Sequence, residues 1–155
     1  MEKSDIDSLC FEFFREFSRY EYCLKVTQLQ QKPDGDAMAN WDWYAKDVEH
    51  VFASPKDPSF VAAIDYLTQH PPKKQVVKDG VLTWDETPLQ EKRVALKIFV
   101  LIRRIRNNLF HGGKFNGQWF EPERSEALMQ HALIILRACG QSHPEVRKAY
   151  EYKAL

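Results

Sequence analysis

The chain has 155 residues, of which 44% are hydrophobic and 13% aromatic, enough to bury a core without cross-links, so a disordered or disulfide-stapled class is excluded. Formal net charge is zero, which argues against indiscriminate nucleic-acid binding. Three widely spaced cysteines, Cys10, Cys23 and Cys139, without a C-x-x-C pair, point to a reducing cytoplasm, and no apolar run approaches the roughly 18 residues of a membrane span.

In chain order, residues 5–30 read as a first helix with Leu9, Phe13, Phe17, Tyr20 and Leu24 on one stripe. Glu21 falls beside that stripe, where an unpaired carboxylate is expensive to bury. It either pairs with an arginine further along the chain or reaches water at the stripe's edge. Pro33-Asp-Gly-Asp is a turn, and an aromatic-rich helix runs from Trp41 to about Ser54-Pro55. Asp57-Pro58-Ser59 opens a third helix that closes at His70-Pro71-Pro72. His50 and His70 sit near helix C-termini and read as structural. Asp79-Gly80 between two Val-rich runs, 74–84, predicts a β-hairpin.

Thr87-Pro-Leu-Gln90 has the residue types of a helix start and predicts a long helix over 88–111, about 36 Å, as the central member of a bundle. A further tight turn is expected at Asn116-Gly117, then a helix from Glu121-Pro122 to Cys139-Gly140 and a short one from His143-Pro144 to about Tyr152. The expectation is one domain over 1–155, an all-α antiparallel bundle of four to five helices with one or two small inserted hairpins.

Charge is unevenly spread. Residues 1–60 carry 7 basic and 12 acidic side chains, whereas 91–114 carry 7 and 1. The basic strip suits an anionic ligand, or equally a partner in the acidic N-terminal helices. On a helical projection from Arg106, Ile98, Leu101, Ile102, Ile105 and Leu109 share one apolar face. Arg103, Arg104, Arg106, Asn107 and His111 lie opposite, with Phe99 and Phe110 among them, as if that face meets something. His131 and His143 read as structural or surface residues. No H-x-x-x-H or related cluster suggests a metal site, and no serine or cysteine has a local histidine partner.

Arg106-Asn-Asn-Leu-Phe-His111, on the last turn of the penultimate long helix before Gly112-Gly113, resembles the signature of the HEPN superfamily: an Arg, four to six residues, then a His. Arg104/His111, Arg124/His131 and Arg137/His143 share the spacing, but only Arg106 is followed by a polar residue in that setting. The first helix, Phe17-Ser-Arg-Tyr-Glu-Tyr-Cys-Leu-Lys25, also looks like that of small stand-alone HEPN proteins. The resemblance implies a homodimeric, metal-independent endoribonuclease without cofactor, the motif helices of two copies lining one cleft. It would cleave RNA by 2′-OH attack, in defence, growth arrest or a toxin system held by an antitoxin or regulatory protein. Elementary chemistry agrees: His111 suits proton transfer near neutral pH, and Arg106 offers a planar fork for phosphate. Asn107 can orient the ring or hold phosphate, and Arg103 and Lys114 would extend the backbone contact, with Glu21 in support. Phe99 and Phe110 would serve a dimer seam or base stacking. The alternative is a non-catalytic HEPN-like bundle that binds nucleotide, RNA or a partner protein. One departure stands out: HEPN toxins paired with nucleotidyltransferase antitoxins carry a Tyr two residues after the motif His, where this chain has Gly113.

Overall fold

The computed structural model describes residues 3–27 and 32–151; the expected last turn of the first helix, 28–30, and Tyr152 lie outside them. Among the described residues are six helices: α1 (Lys3–Val26), α2 (Trp41–Ala53), α3 (Pro58–Gln69), α4 (Val94–Phe110), α5 (Pro122–Ser142) and α6 (Pro144–Tyr150). A two-stranded antiparallel sheet, β1 (Lys74–Lys78) and β2 (Val81–Asp85), sits between α3 and α4.

The short helices start where their caps dictate. Asn40 and Asp57 side chains accept the Trp43 and Ser59 amides at 2.9 and 2.8 Å, satisfying first-turn donors of α2 and α3. Pro58 follows at a position that needs no N–H. In the hairpin, Asp79 and Gly80 have φ of 52° and 76°, the two left-handed residues of a I′ turn, pairing Lys78 with Val81. At Asn116-Gly117 the chain does turn tightly, but Phe115 and Trp119 make an isolated bridge instead of a second hairpin.

Three expectations need correction. First, α4 begins at Val94, so it has 17 residues and is about 25 Å long. Thr87 does not cap it: its own amide is taken by Asp85 at 2.9 Å, prolonging the strand end as a turn. The Ala95 amide finds Glu49 of α2 at 3.3 Å, a partner from another helix. Second, α5, not α4, packs against every other helix. It runs through Gly140 to Ser142, because Gly140 makes room for Tyr20: a Cβ there would stand 3.3 Å from the Tyr20 ring. Third, Phe99 is fully buried in the core. Its ring lies 5.3 Å from Trp41, 5.4 Å from Tyr44 and 5.9 Å from Phe52. A helical projection assumes one cover along the whole helix; α2 covers the N-terminal part of α4 on a second side.

One core draws on all six helices, from Ile6 and Phe13 through Trp41, Phe60, Ile98 and Ile135 to Val146. Tyr20 and Tyr44 are buried in it and hydrogen-bond hydroxyl to hydroxyl, so neither polar tip is stranded. His143 ties α6 to α2: Nδ1 accepts the Val146 amide at 3.2 Å while Nε2 stands 3.1 Å from Asp47.

Candidate functional site

The C-terminal end of α4 is shaped by two glycines with different duties. Gly112, at φ 86°, takes the left-handed turn that ends the helix, and the Gly113 amide then donates back to the Asn108 carbonyl at 2.9 Å. Gly113 is required for space. A Cβ there would lie 2.9 Å from the Trp84 ring of β2 and 3.1 Å from the Asn108 carbonyl. Trp84 thus caps the end of the motif helix, which explains physically why this position cannot hold a tyrosine. Asn108, buried, donates to the Lys73 carbonyl at 2.8 Å and fixes the other side of the hairpin base.

Arg106 is half-buried. One terminal nitrogen lies 3.4 Å from Glu21 of α1, long for a charge-assisted bond, and the guanidinium sits 5.2 Å from the Phe17 ring centre. Of the two outcomes its place on α1 left open, Glu21 therefore takes the arginine partner. Asn107 and His111 are exposed, one turn apart; the His111 amide donates to the Asn107 carbonyl at 2.9 Å, making His111 the C-cap. His111 lies five positions after Arg106, placing their Cα–Cβ directions about 140° apart around the axis. Asn107 and His111 diverge by only about 40°. Arg103, half-buried, continues the Asn107–His111 row one turn back, with no carboxylate at ion-pair distance among the described residues.

Lys114 is placed differently from a backbone-tracking cation. It is buried, its ammonium 3.1 Å from Glu121 and 4.9 Å from the Trp84 ring centre. That contact holds Glu121's carboxyl below the usual range, chiefly through the Lys114 hydrogen bond. Of the six assigned residues, the structure thus brings Arg106 and Glu21 into contact and leaves Asn107 and His111 open. It turns Lys114 inward.

Phe110, one turn after Arg106, is 63% exposed and stacks on Phe14 of α1, itself 45% exposed, at 5.6 Å and 16°. Phe11 and Phe115 extend this surface, and the Trp119 indole donates to Asp7 at 2.8 Å, pinning the 115–119 turn against α1. Two concavities flank the Phe14–Phe110 stack. One, about 250 Å³, is lined by Phe17, Glu21 and Lys25; the other, about 430 Å³, by Cys10, Phe11 and Trp119, and Arg106 lines both. The sequence reading did not assign Phe11, Phe14, Phe115 or Trp119. The available signal was Phe11-Glu-Phe-Phe14, more aromatics than one buried stripe of α1 can use.

Among the described residues, no group of three or more His, Cys, Asp or Glu could hold a metal ion, and no helix is long and apolar enough to cross a membrane. The chain matches no family model, no curated protein and no solved structure.

Proposed function

We propose that this protein is a metal-independent endoribonuclease of HEPN type, acting as a homodimer through the α4 face. The observation that carries the reading is one surface: the exposed Phe14–Phe110 stack, with Arg106 on one side of it and the exposed Asn107–His111 turn on the other. Contiguous exposed aromatics of this kind are uncommon on a face that stays in water. They suit a second copy or an unstacked base.

In the proposed reaction the imidazole of His111 takes the proton from a ribose 2′-OH as that oxygen attacks the adjacent phosphorus. The bond from phosphorus to the 5′-oxygen breaks, water protonates that oxygen, the His111 imidazolium returns its proton to the resulting hydroxide, and the products are a 2′,3′-cyclic phosphate and a 5′-OH end. Arg106 neutralises the charge gathered on the non-bridging oxygens, and Asn107 positions the ring or the phosphate. Because Arg106 and His111 of one chain diverge by about 140°, a cleft built by two copies supplies both groups to one phosphate more readily than one chain does. Arg103 then extends the contact to the RNA backbone, and Glu21 limits the rotamers of Arg106. Such an activity fits defence, growth arrest or a toxin system, with a regulatory protein restraining it.

A second reading has its own support: the Arg106–Glu21 pair gives the motif arginine a structural partner. On that reading the same face binds RNA, nucleotide or a partner protein without cleavage. The test is incubation with mixed cellular RNA in excess chelator, wild type beside His111→Ala and Arg106→Ala. Wild type alone should cleave, leaving cyclic phosphate ends; identical behaviour of the three proteins sinks the catalytic assignment and leaves the binding module.

A further inference from the structure

About 160° around α4 from Arg106, on the side of Arg104, lies a separate recess of about 370 Å³. It opens between the segment after α3, the segment after β2, and α4 with the first turn of α5. Lys97, Leu101 and Arg104 enter it from α4 at i, i+4 and i+7, a spacing that puts all three on one stripe. Leu101 is buried and forms apolar floor, joined by Leu89, Pro72 and Pro88.

The charges around this floor do not balance. Lys73, Lys97, Arg104 and Arg124 face two carboxylates, Asp85 and Glu86, an excess of two positive charges. Lys73 is matched by Glu86 at 3.0 Å, and Arg124 is steadied by the Pro71 carbonyl at 2.8 Å with guanidinium N–H groups to spare. Asp85 is held by the Thr87 amide at 2.9 Å. Lys97 and Arg104 have no ion-pair partner within 4.0 Å among the described residues. Arg104 is half-buried at the wall, so its fork is presented, not waving in solvent.

We propose that this recess binds a phosphomonoester carrying a flat apolar body, of the nucleoside monophosphate class. The doubly charged phosphate of such a molecule near neutral pH equals the local excess of positive charge. Lys97 and Arg104 start about 10 Å apart along the axis, within reach of one phosphate for two long side chains. Leu101, Leu89 and the prolines take the ring. The volume lies at the small end of ligand sites, roughly 300 to 1,000 Å³, which suits a mononucleotide and not a longer chain. This site is independent of Arg106 and His111 and stands whether or not the chain cleaves RNA.

The test is titration calorimetry of the whole chain with adenosine monophosphate, adenosine and inorganic phosphate, using wild type, Lys97→Gln, Arg104→Gln and Lys148→Gln. Melting curves establish that each variant is folded. Adenosine monophosphate should bind at least about tenfold more tightly than adenosine or phosphate alone, and each of Lys97→Gln and Arg104→Gln should cost about tenfold. Lys148→Gln, on α6 and outside the recess, should leave binding unchanged. Amide shifts on titration should move at Leu89, Leu101 and Arg104 and stay still at Phe110. Adenosine binding as well as its phosphate, no effect of the Lys97 and Arg104 variants, an equal loss on Lys148→Gln, or no binding at millimolar ligand would each overturn the proposal.

Discussion

Phe99 and Phe110 lie in the same angular sector of α4, three turns apart, and meet opposite fates. Phe99 is sealed among Trp41, Tyr44 and Phe52; Phe110 lies open on the surface against Phe14. The helix is one element, but its covering changes along its length. Near Phe99 that sector is met by α2; near Arg106, among the described residues, it is met by the edge of α1 and the 115–119 turn. The contrast shows that an aromatic in a basic sector identifies a functional face only after the neighbouring helices are known.

The largest expected effect tests the sealed end. Phe99→Ala should destabilise the fold by about 3–5 kcal/mol in chemical denaturation, the usual cost of emptying an aromatic site in a core. Gly113→Ala acts at the open end through packing, because the new Cβ meets Trp84 and a backbone carbonyl. A loss of about 1–3 kcal/mol is expected, and Trp84→Leu should recover part of it in the double variant. Phe110→Glu should change stability by no more than about 0.5 kcal/mol, yet shift the proposed α4-face homodimer to monomer in sedimentation. If it instead unfolds the chain, Phe110 belongs with Phe99 and the comparison fails.

The smallest effect concerns pH. His131 stacks on Tyr66 at 4.5 Å, its Nδ1 has no hydrogen-bond partner among the described residues, and burial pushes its pKa below 6.5. The unfolded chain then binds more protons at this residue than the folded one between 6.5 and the lower folded value. Stability contributed by neutral His131 is present above 6.5 and declines as pH falls through that window. His131→Gln should therefore flatten the wild-type decline in melting temperature below pH 6.5.

Most of the helical architecture was legible because its signals are local. Asp57-Pro58 and Asp79-Gly80 carry their caps and turns with them. What escaped was nonlocal. The start of α4 depends on Glu49 from α2, and the passage of α5 through Gly140 depends on the Tyr20 ring. At the site, the place of Glu21 beside the stripe left an arginine partner and water both open, and Arg106 is the partner found. Lys114 could not be read, since its inward turn depends on Trp84 from the hairpin and Glu121 from beyond the loop.

The Trp84 contact with Gly113 also decides how the end of α4 opens. The Gly113 amide is shielded by a ring from a two-stranded ribbon whose outer residues, Val77, Val81 and Leu82, are exposed. Such a ribbon has little burial of its own and lifts at low free energy compared with the core. Hydrogen exchange at Gly113 should therefore be governed by lifting of the ribbon, and be much faster than at the amides of Ile98 and Ile102 in the same polypeptide. The last turn carrying His111 belongs kinetically to the hairpin, although by sequence it belongs to the helix.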